Sequence, residues 1–185
     1  MKKSICTLAL CILVTTVYKA QTPPYNGLEE MHIFNYSEFT MGGHVTGSRP
    51  GLCYPTLDGH FGDNIYPAGD PLGRDYVMYN KYYNTNTATV PIYTWYFKGN
   101  AAASPVPLTP GIIPINNSAG IYTTLTVFSG MIVEYWDNIS IHNNFAVNTV
   151  NTAGGDCESY PLNFSDGIID VESFYIGNNY YVIIA

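Results

Sequence analysis

The stretch from Gly120 to His142 constrains the fold more than any other part of this chain. It concentrates β-branched and aromatic residues, which fit a pleated and half-buried surface, on both sides of the pair Ser129-Gly130. Beyond Trp136 the sequence alternates apolar and polar residues, which is the period of a strand. We therefore predict a two-stranded β-hairpin that turns at Ser129-Gly130.

Shorter runs of the same kind predict further strands. The run Thr89–Lys98 alternates so that Ile92 faces one side of the strand and Trp95 the other. The runs Ile168–Tyr175 and Tyr180–Ile184 flank a Gly-Asn-Asn turn, and they predict a last hairpin whose final strand lies inside a sheet.

Two regions nearer the amino terminus are less regular. The run Met31–Thr40 alternates loosely and predicts one strand. The segment Tyr54–Asp75 is interrupted by many Gly and Pro residues, so it predicts a long irregular loop, and its aromatic residues indicate that this loop packs on the body of the protein.

The spacing of these runs defines the fold class. Turn signals recur roughly every 8–12 residues, and no convincing amphipathic helix separates them. We predict an all-β protein, an antiparallel β-sandwich of the jelly-roll-like or immunoglobulin-like kind, formed as a single domain by residues 21–185.

The amino-terminal residues indicate export. Lys2 and Lys3 precede an apolar run over 5–17 that is too short to span a bilayer as a helix, which is typical of a secretory signal peptide. We predict a signal peptide over 1–20 and a secreted protein, extracellular or at the cell surface, with the periplasm as an alternative. No later apolar run reaches the length of a membrane helix, about 18 residues, so no transmembrane segment is expected.

Charge restricts the partners. The formal net charge is −7, and removal of the signal peptide would take away Lys2, Lys3 and Lys19 and leave a more acidic chain. We expect no nucleic-acid partner for such a surface, because binding to nucleic acid depends on Lys and Arg that neutralise phosphates. Cations and neutral polymers such as glycans remain as candidates.

Cys53 and Cys157 are the cysteines that remain outside the signal peptide. In an oxidising compartment an isolated pair usually forms a bridge, so we predict a Cys53–Cys157 disulfide. A nucleophilic or metal-binding cysteine is the alternative, although neither residue belongs to a CxxC motif.

Acidic residues in the Gly-rich loop are candidates for a metal site. Asp58, Asp63 and Asp70 could supply carboxylate oxygens to a structural Ca²⁺. Their spacing matches no EF-hand, and aspartates beside Gly or Pro also build turns without any metal. Zinc held by His44 and His60 is a weaker alternative, because no paired-ligand motif connects them.

Tyrosine is abundant, with 17 residues in the chain. Tyr and Trp combine an apolar ring with a polar group and are therefore common on binding surfaces, although sandwich cores use them as well. The predicted ligand-binding residues combine an exposed tyrosine cluster with two tryptophans: Tyr76, Tyr79, Tyr82, Tyr83, Trp95 and Trp136.

No catalytic motif such as GxSxG or HExxH is present in the sequence. Glu134, in the middle of an apolar run, is either an acid whose pKa is raised by burial or a solvent-facing strand residue. We expect a secreted, non-catalytic protein that binds glycan or another surface polymer. The alternatives are a self-associating structural subunit of a surface layer or appendage, and a small secreted polysaccharide hydrolase, which needs only two facing carboxylates.

Overall fold

The computed structural model describes residues 30–49, 54–80, 85–108, 126–137, 141–148 and 161–185. The predicted signal peptide, both cysteines of the predicted disulfide, and Tyr82 and Tyr83 lie outside these residues. Expectations about them stay predictions.

The described residues form eleven strands and two sheets. The strands are β1 (Glu30–Asn35), β2 (Thr40–Ser48), β3 (Thr56–Phe61), β4 (Tyr76–Asn80), β5 (Ile92–Lys98), β6 (Val106–Leu108), β7 (Val127–Trp136), β8 (Ile141–Asn148), β9 (Asn163–Ser165), β10 (Asp170–Ile176) and β11 (Asn179–Ile184). Sheet A has the order β4-β1-β11-β10-β9 and sheet B the order β6-β5-β3-β2-β7-β8. Neighbouring strands are antiparallel except for the parallel pair β1 and β11. The predicted all-β sandwich is confirmed.

The core lies between the two sheets. Strand alternation sends Met31 and Ile33 of sheet A and Met41 and Val45 of sheet B inward, and all four are fully buried. Within the part of the chain that the structure describes, no helix has the length and apolar character needed to cross a membrane.

The turn predicted at Ser129-Gly130 is wrong. β7 continues through this pair to Trp136, and it pairs antiparallel with β8 from Gly130 to Trp136. Opposite β2, Thr46 pairs with Gly130 and Gly47 with Phe128, so Ser129 is an extra residue. Such a β-bulge is another common use of Gly in a strand, and no turn signal distinguishes it from a hairpin.

Two other boundaries differ from the prediction. The single strand expected over Met31–Thr40 is two strands, β1 and β2, that belong to different sheets. The irregular loop expected over Tyr54–Asp75 contains β3, which lies between β2 and β5 in sheet B. The last hairpin is confirmed: β10 and β11 meet at Gly177, whose φ is 61°, and β11 lies inside sheet A.

β5 shows how a bulge changes which side chains are buried. Gly59 pairs with Trp95 and His60 with Thr94, but Phe61 pairs with Ile92, so Tyr93 is the extra residue. Ile92 and Trp95 were expected on opposite faces, yet both are buried, and Tyr93 is exposed. The bulge shifts the alternation by one residue and brings both side chains into the core.

The buried side-chain amide of Asn35 holds the connection between β1 and β2 in place. The Nδ2 atom of Asn35 donates hydrogen bonds to the carbonyl oxygens of Phe39 and Tyr66, each at 2.8 Å. Its Oδ1 atom accepts from the backbone N–H of Ser37 at 3.1 Å and from the Ser37 hydroxyl at 2.6 Å. Because every polar atom of the amide is paired, Asn35 can be 1% exposed without an unsatisfied group.

A carboxylate connects the two sheets near β8. Asp166, just before β10, accepts hydrogen bonds from the buried Tyr135 hydroxyl of β7 and from Asn143 of β8 at 3.0 Å. Burial and the bond to Asp166 raise the pKa of Tyr135 to about 12. The backbone N–H groups of Ile168 and Ile169 also donate to this carboxylate. The network fixes the turn that begins β10 against sheet B.

Candidate functional site

The outer face of sheet A carries a continuous aromatic surface across β4, β1, β11 and β10. Two rows of side chains cross these strands in register. One row is Met78, His32, Tyr181 and Phe174, and the other is Tyr76, Phe34, Ile183 and Glu172. Tyr36, just after β1, extends the surface beside Phe34. We call these residues the sheet A ladder.

The rings of the ladder stand on the sheet and stack on one another. The centroids of His32 and Tyr181 are 4.7 Å apart with ring planes 8° from parallel, and those of Phe34 and Tyr76 are also 4.7 Å apart. This distance equals the spacing of neighbouring strands, about 4.7–4.9 Å. Each inner ring therefore presents its faces to its neighbours and its edge to solvent.

His32 is fixed at the centre of the ladder. Its Nδ1 atom is 2.9 Å from the Tyr76 hydroxyl, and its Nε2 atom is 3.0 Å from a carboxylate oxygen of Glu30. Glu30 in turn accepts a hydrogen bond from the side chain of Asn179 on β11. Burial, followed by the charge of Glu30, raises the pKa of Tyr76. Both imidazole nitrogens are thus engaged within sheet A.

Open ring surface is found at one margin of the ladder. Tyr36 is 62% exposed and Tyr76, on the edge strand of the described sheet, is 39% exposed. The five strands of sheet A contain neither lysine nor arginine, whereas Glu30, Asp170 and Glu172 belong to them. The surface is therefore aromatic and anionic.

The fold exposes some of the predicted ligand-binding residues and buries others. Tyr76 lies on the ladder, but Tyr79 is 0% exposed and Trp95 is 1% exposed, so no ligand can reach either ring. The expected exposure of Tyr79 is wrong because residues 76 and 79 point to opposite faces of a strand. The hydroxyl of Tyr79 donates to the carbonyl of Val90 at 2.7 Å.

Trp136 lies apart from the ladder, at the end of β7 in sheet B. It is half-buried, and its six-membered ring covers Gly42 of β2. A Cβ atom at residue 42 would be 2.8 Å from this ring, so the glycine is needed for the close approach. Trp136 and Tyr76 are not on one surface.

The acidic loop is held by an arginine. Arg74 donates to both carboxylate oxygens of Asp70, at 3.0 and 3.1 Å, and to Asp63 at 3.1 Å. The guanidinium carbon also lies 3.6 Å from the centre of the Tyr66 ring. Hydrogen bonds from Arg74 lower the pKa of Asp70. Two of the three predicted calcium ligands therefore neutralise a cation that belongs to the protein.

Asp58, the third predicted ligand, lies on β3 opposite Thr46. Within the described ranges, no group of three or more His, Cys, Asp or Glu side chains is arranged to hold a metal ion. Calcium binding stays a prediction. Glu134 is exposed on β7, which agrees with a solvent-facing strand residue.

Sheet B brings together two histidines from separate strands. His44 of β2 and His60 of β3 are direct cross-strand partners, and their ring centroids are 4.8 Å apart with planes 16° from parallel. Tyr96 of β5 contacts the His60 ring edgewise at 4.9 Å. Burial, followed by the proximity of His60, lowers the pKa of His44 to about 4, and burial also lowers the pKa of His60.

Sequence reasoning missed most of the ladder. Its members His32 and Phe34 on β1 and Tyr36 just after it are spaced two residues apart, so the alternation of the chain indicates that they share one face. The contribution of Tyr181 and Phe174 depends on the parallel pairing of β1 with β11, which no local pattern indicates.

Comparison with protein-family models, with curated proteins and with solved structures finds no match for this chain. Its function is inferred from the two outer sheet faces.

Proposed function

We propose that this chain is a secreted, non-catalytic recognition protein that binds a neutral glycan or a similar surface polymer through the sheet A ladder. The observation that carries the proposal is the continuous aromatic surface across four neighbouring strands. Aromatic rings that also carry hydroxyl groups suit sugars, which have apolar faces and polar rims.

The charges on the outer face of sheet A favour neutral polymers over anionic ones. Sheet A supplies carboxylates and amides, which can accept and donate hydrogen bonds to hydroxyl groups, and it supplies no lysine or arginine. Sulfated or phosphorylated polymers would be repelled by the same carboxylates. A neutral polysaccharide is therefore the ligand class that the surface favours.

The geometry of the ladder also indicates where a sugar would contact it. The inner rings are covered by their neighbours, so ring faces are open at the margin formed by Tyr36 and Tyr76. The remaining ladder provides a firm floor of ring edges, because His32 is anchored from both nitrogens. We expect the sugar rings to stack on Tyr36 and Tyr76 and the polymer to continue across β1 and β11.

Affinity for insoluble cellulose, chitin and β-1,3-glucan, followed by calorimetry with oligosaccharides of the retained polymer, tests the proposal. Tyr36→Ala and Tyr76→Ala are each expected to weaken binding about tenfold, the effect of losing a contact worth about 1.4 kcal/mol. Tyr93→Ala is the matched control, since Tyr93 is a 55% exposed tyrosine of sheet B.

Two outcomes would overturn the proposal. One is the absence of binding to every polysaccharide at millimolar sugar, and the other is an equal loss in all three tyrosine variants. If Tyr36→Ala and Tyr76→Ala instead abolish a concentration-dependent increase in mass measured by light scattering, the ladder binds a second copy of the chain. That result would support the structural-subunit alternative.

A further inference from the structure

The outer face of sheet B offers a second site of different chemistry. His44 and His60 lie side by side on β2 and β3, with parallel rings at a centroid distance of 4.8 Å. His60 is exposed, and His44 is half-buried between β3 and β7. Cross-strand partners are held in register by the backbone bonds of the sheet, so the two side chains emerge next to each other.

The ring nitrogens of this pair have no hydrogen-bond partner among the residues that the structure describes. Among the described residues, neither imidazole forms a side-chain hydrogen bond, and the contacts of the rings are the mutual stack and the edge of Tyr96. His32 on sheet A is the opposite case, because Tyr76 and Glu30 occupy both of its nitrogens. Within the described ranges, the lone pairs of His44 and His60 are therefore left for a ligand from outside the chain.

We propose that His44 and His60 bind a divalent transition-metal ion of the kind that prefers imidazole, such as Cu²⁺, Ni²⁺ or Zn²⁺. Neutral imidazole is a common ligand of these ions, whereas Ca²⁺ and Mg²⁺ prefer oxygen. The site is distinct from the acidic loop, whose Asp63 and Asp70 side chains contact Arg74.

The spacing of the rings is compatible with a shared ion. A metal bonded to two imidazole nitrogens at about 2.0–2.1 Å requires those nitrogens to be roughly 3–4 Å apart. In the stack the two ring planes are 16° from parallel, so their in-plane lone pairs do not converge on one point. Binding of a shared ion therefore requires the exposed His60 ring to rotate out of the stack until a nitrogen of each ring faces the ion.

The described residues provide no third ligand. No group of three or more His, Cys, Asp or Glu side chains capable of holding a metal is found among them. Water or a donor from another molecule would fill the remaining coordination positions, as in sites that keep open positions. We therefore infer an exchangeable, open site rather than a closed structural one.

Copper is the best probe, because Cu²⁺ binds most tightly among these divalent ions and its electron paramagnetic resonance spectrum reports coordinated nitrogens. Protein without a polyhistidine tag is stripped with EDTA, dialysed and titrated with CuCl₂ by calorimetry. We expect one equivalent of Cu²⁺ with two imidazole nitrogens in its spectrum. His60→Gln and His44→Gln should each weaken binding at least about tenfold, since even residues that only orient a ligand contribute 10–100-fold.

His32→Gln is the matched control, because it removes a histidine whose nitrogens are already engaged, and it should leave copper affinity unchanged. The proposal is overturned if Cu²⁺ does not bind, if the spectrum shows fewer than two imidazole nitrogens, or if His60→Gln retains the affinity of the unmodified protein. His60 is exposed, so His60→Gln is expected to fold even if His44→Gln does not. Circular dichroism of each variant separates lost folding from lost binding.

Discussion

Histidine has opposite roles on the two outer faces of this sandwich. On sheet A, His32 stacks between aromatic neighbours, and both of its nitrogens are engaged by Tyr76 and Glu30. On sheet B, the ring contacts of His44 and His60 within the described residues are their mutual stack and the edgewise contact of Tyr96 with His60. The same residue type, on the same kind of strand position, is a structural element on one face and, in our proposal, a metal ligand on the other.

The difference shows that exposure alone does not identify a functional side chain on a sheet. The ladder is partly exposed, yet its rings contact one another within the sheet. In the proposed function, the inner rings therefore support the exposed tyrosines Tyr36 and Tyr76 rather than contacting the ligand through their faces. The histidine pair is small, but its polar atoms have no engagement among the described residues. The two faces differ in whether their polar atoms and rings already form hydrogen bonds and stacking contacts with one another.

The largest expected effect concerns the ladder as a stabilising element. Phe34→Ala removes the ring that contacts Tyr76, Tyr36 and His32, and we expect it to lower the free energy of unfolding by about 2–3 kcal/mol. Urea denaturation measures the change. Phe174→Ala, which removes a ring stacked on Tyr181, should cost about half as much. Equal effects would show that the ladder is not a connected unit.

The second effect concerns the pH dependence of the histidine pair. The pKa of His44 is about 4 in the folded protein and about 6.5 when unfolded, so the unfolded chain binds more protons between these values. Its contribution to stability is complete above pH 6.5 and is lost as pH falls towards 4. We expect a loss of about 1–2 kcal/mol, after allowance for solvent screening at a partly exposed ring.

Urea denaturation in EDTA at several pH values from 7.5 to 4.5 measures this loss. The double variant His44→Gln/His60→Gln retains the carboxylates that titrate in acid, so its difference from the unmodified protein isolates the pair. Parallel curves for the two proteins would contradict the expected linkage.

The smallest expected effect is the change in the free energy of unfolding when a single histidine is replaced at neutral pH. His32→Gln removes two hydrogen-bonding positions and three stacking contacts, so we expect it to lower the free energy of unfolding by about 1 kcal/mol. His60→Gln should change it by less than about 0.5 kcal/mol, as is usual for exposed positions. Thermal denaturation in EDTA compares the two variants, and a reversed order would contradict the assignment of the two roles.

Period-two patterns were sufficient to predict the fold class and several strands. β5 and the hairpin of β10 and β11 follow from alternation and from a glycine at a two-residue turn. The interior place of β11 follows from its continuous apolar character. These features depend on neighbouring residues, so a local reading of the sequence could find them.

The wrong predictions share one physical cause, which is pairing between strands that are distant in the sequence. Ser129-Gly130 is a bulge rather than a turn because β2 pairs along the whole of β7, and Tyr93 is a bulge because of its pairing with β3. Tyr76 and Tyr79 were predicted to belong to one exposed cluster, whereas the alternation of β4 places them on opposite faces of sheet A. The adjacency of His44 and His60 likewise depends on register between strands, which no local pattern specifies.

The buried amide of Asn35 has a consequence for producing this protein. Asn35-Tyr36-Ser37 is an Asn-X-Ser acceptor for N-linked glycosylation, and a eukaryotic secretory host modifies such sites. A glycan on Nδ2 could not coexist with the hydrogen bonds to Phe39 and Tyr66, nor with a side chain enclosed beneath the loop. Material expressed in such a host and occupied at Asn35 should therefore fail to reach the native state, whereas bacterial expression avoids this obstacle.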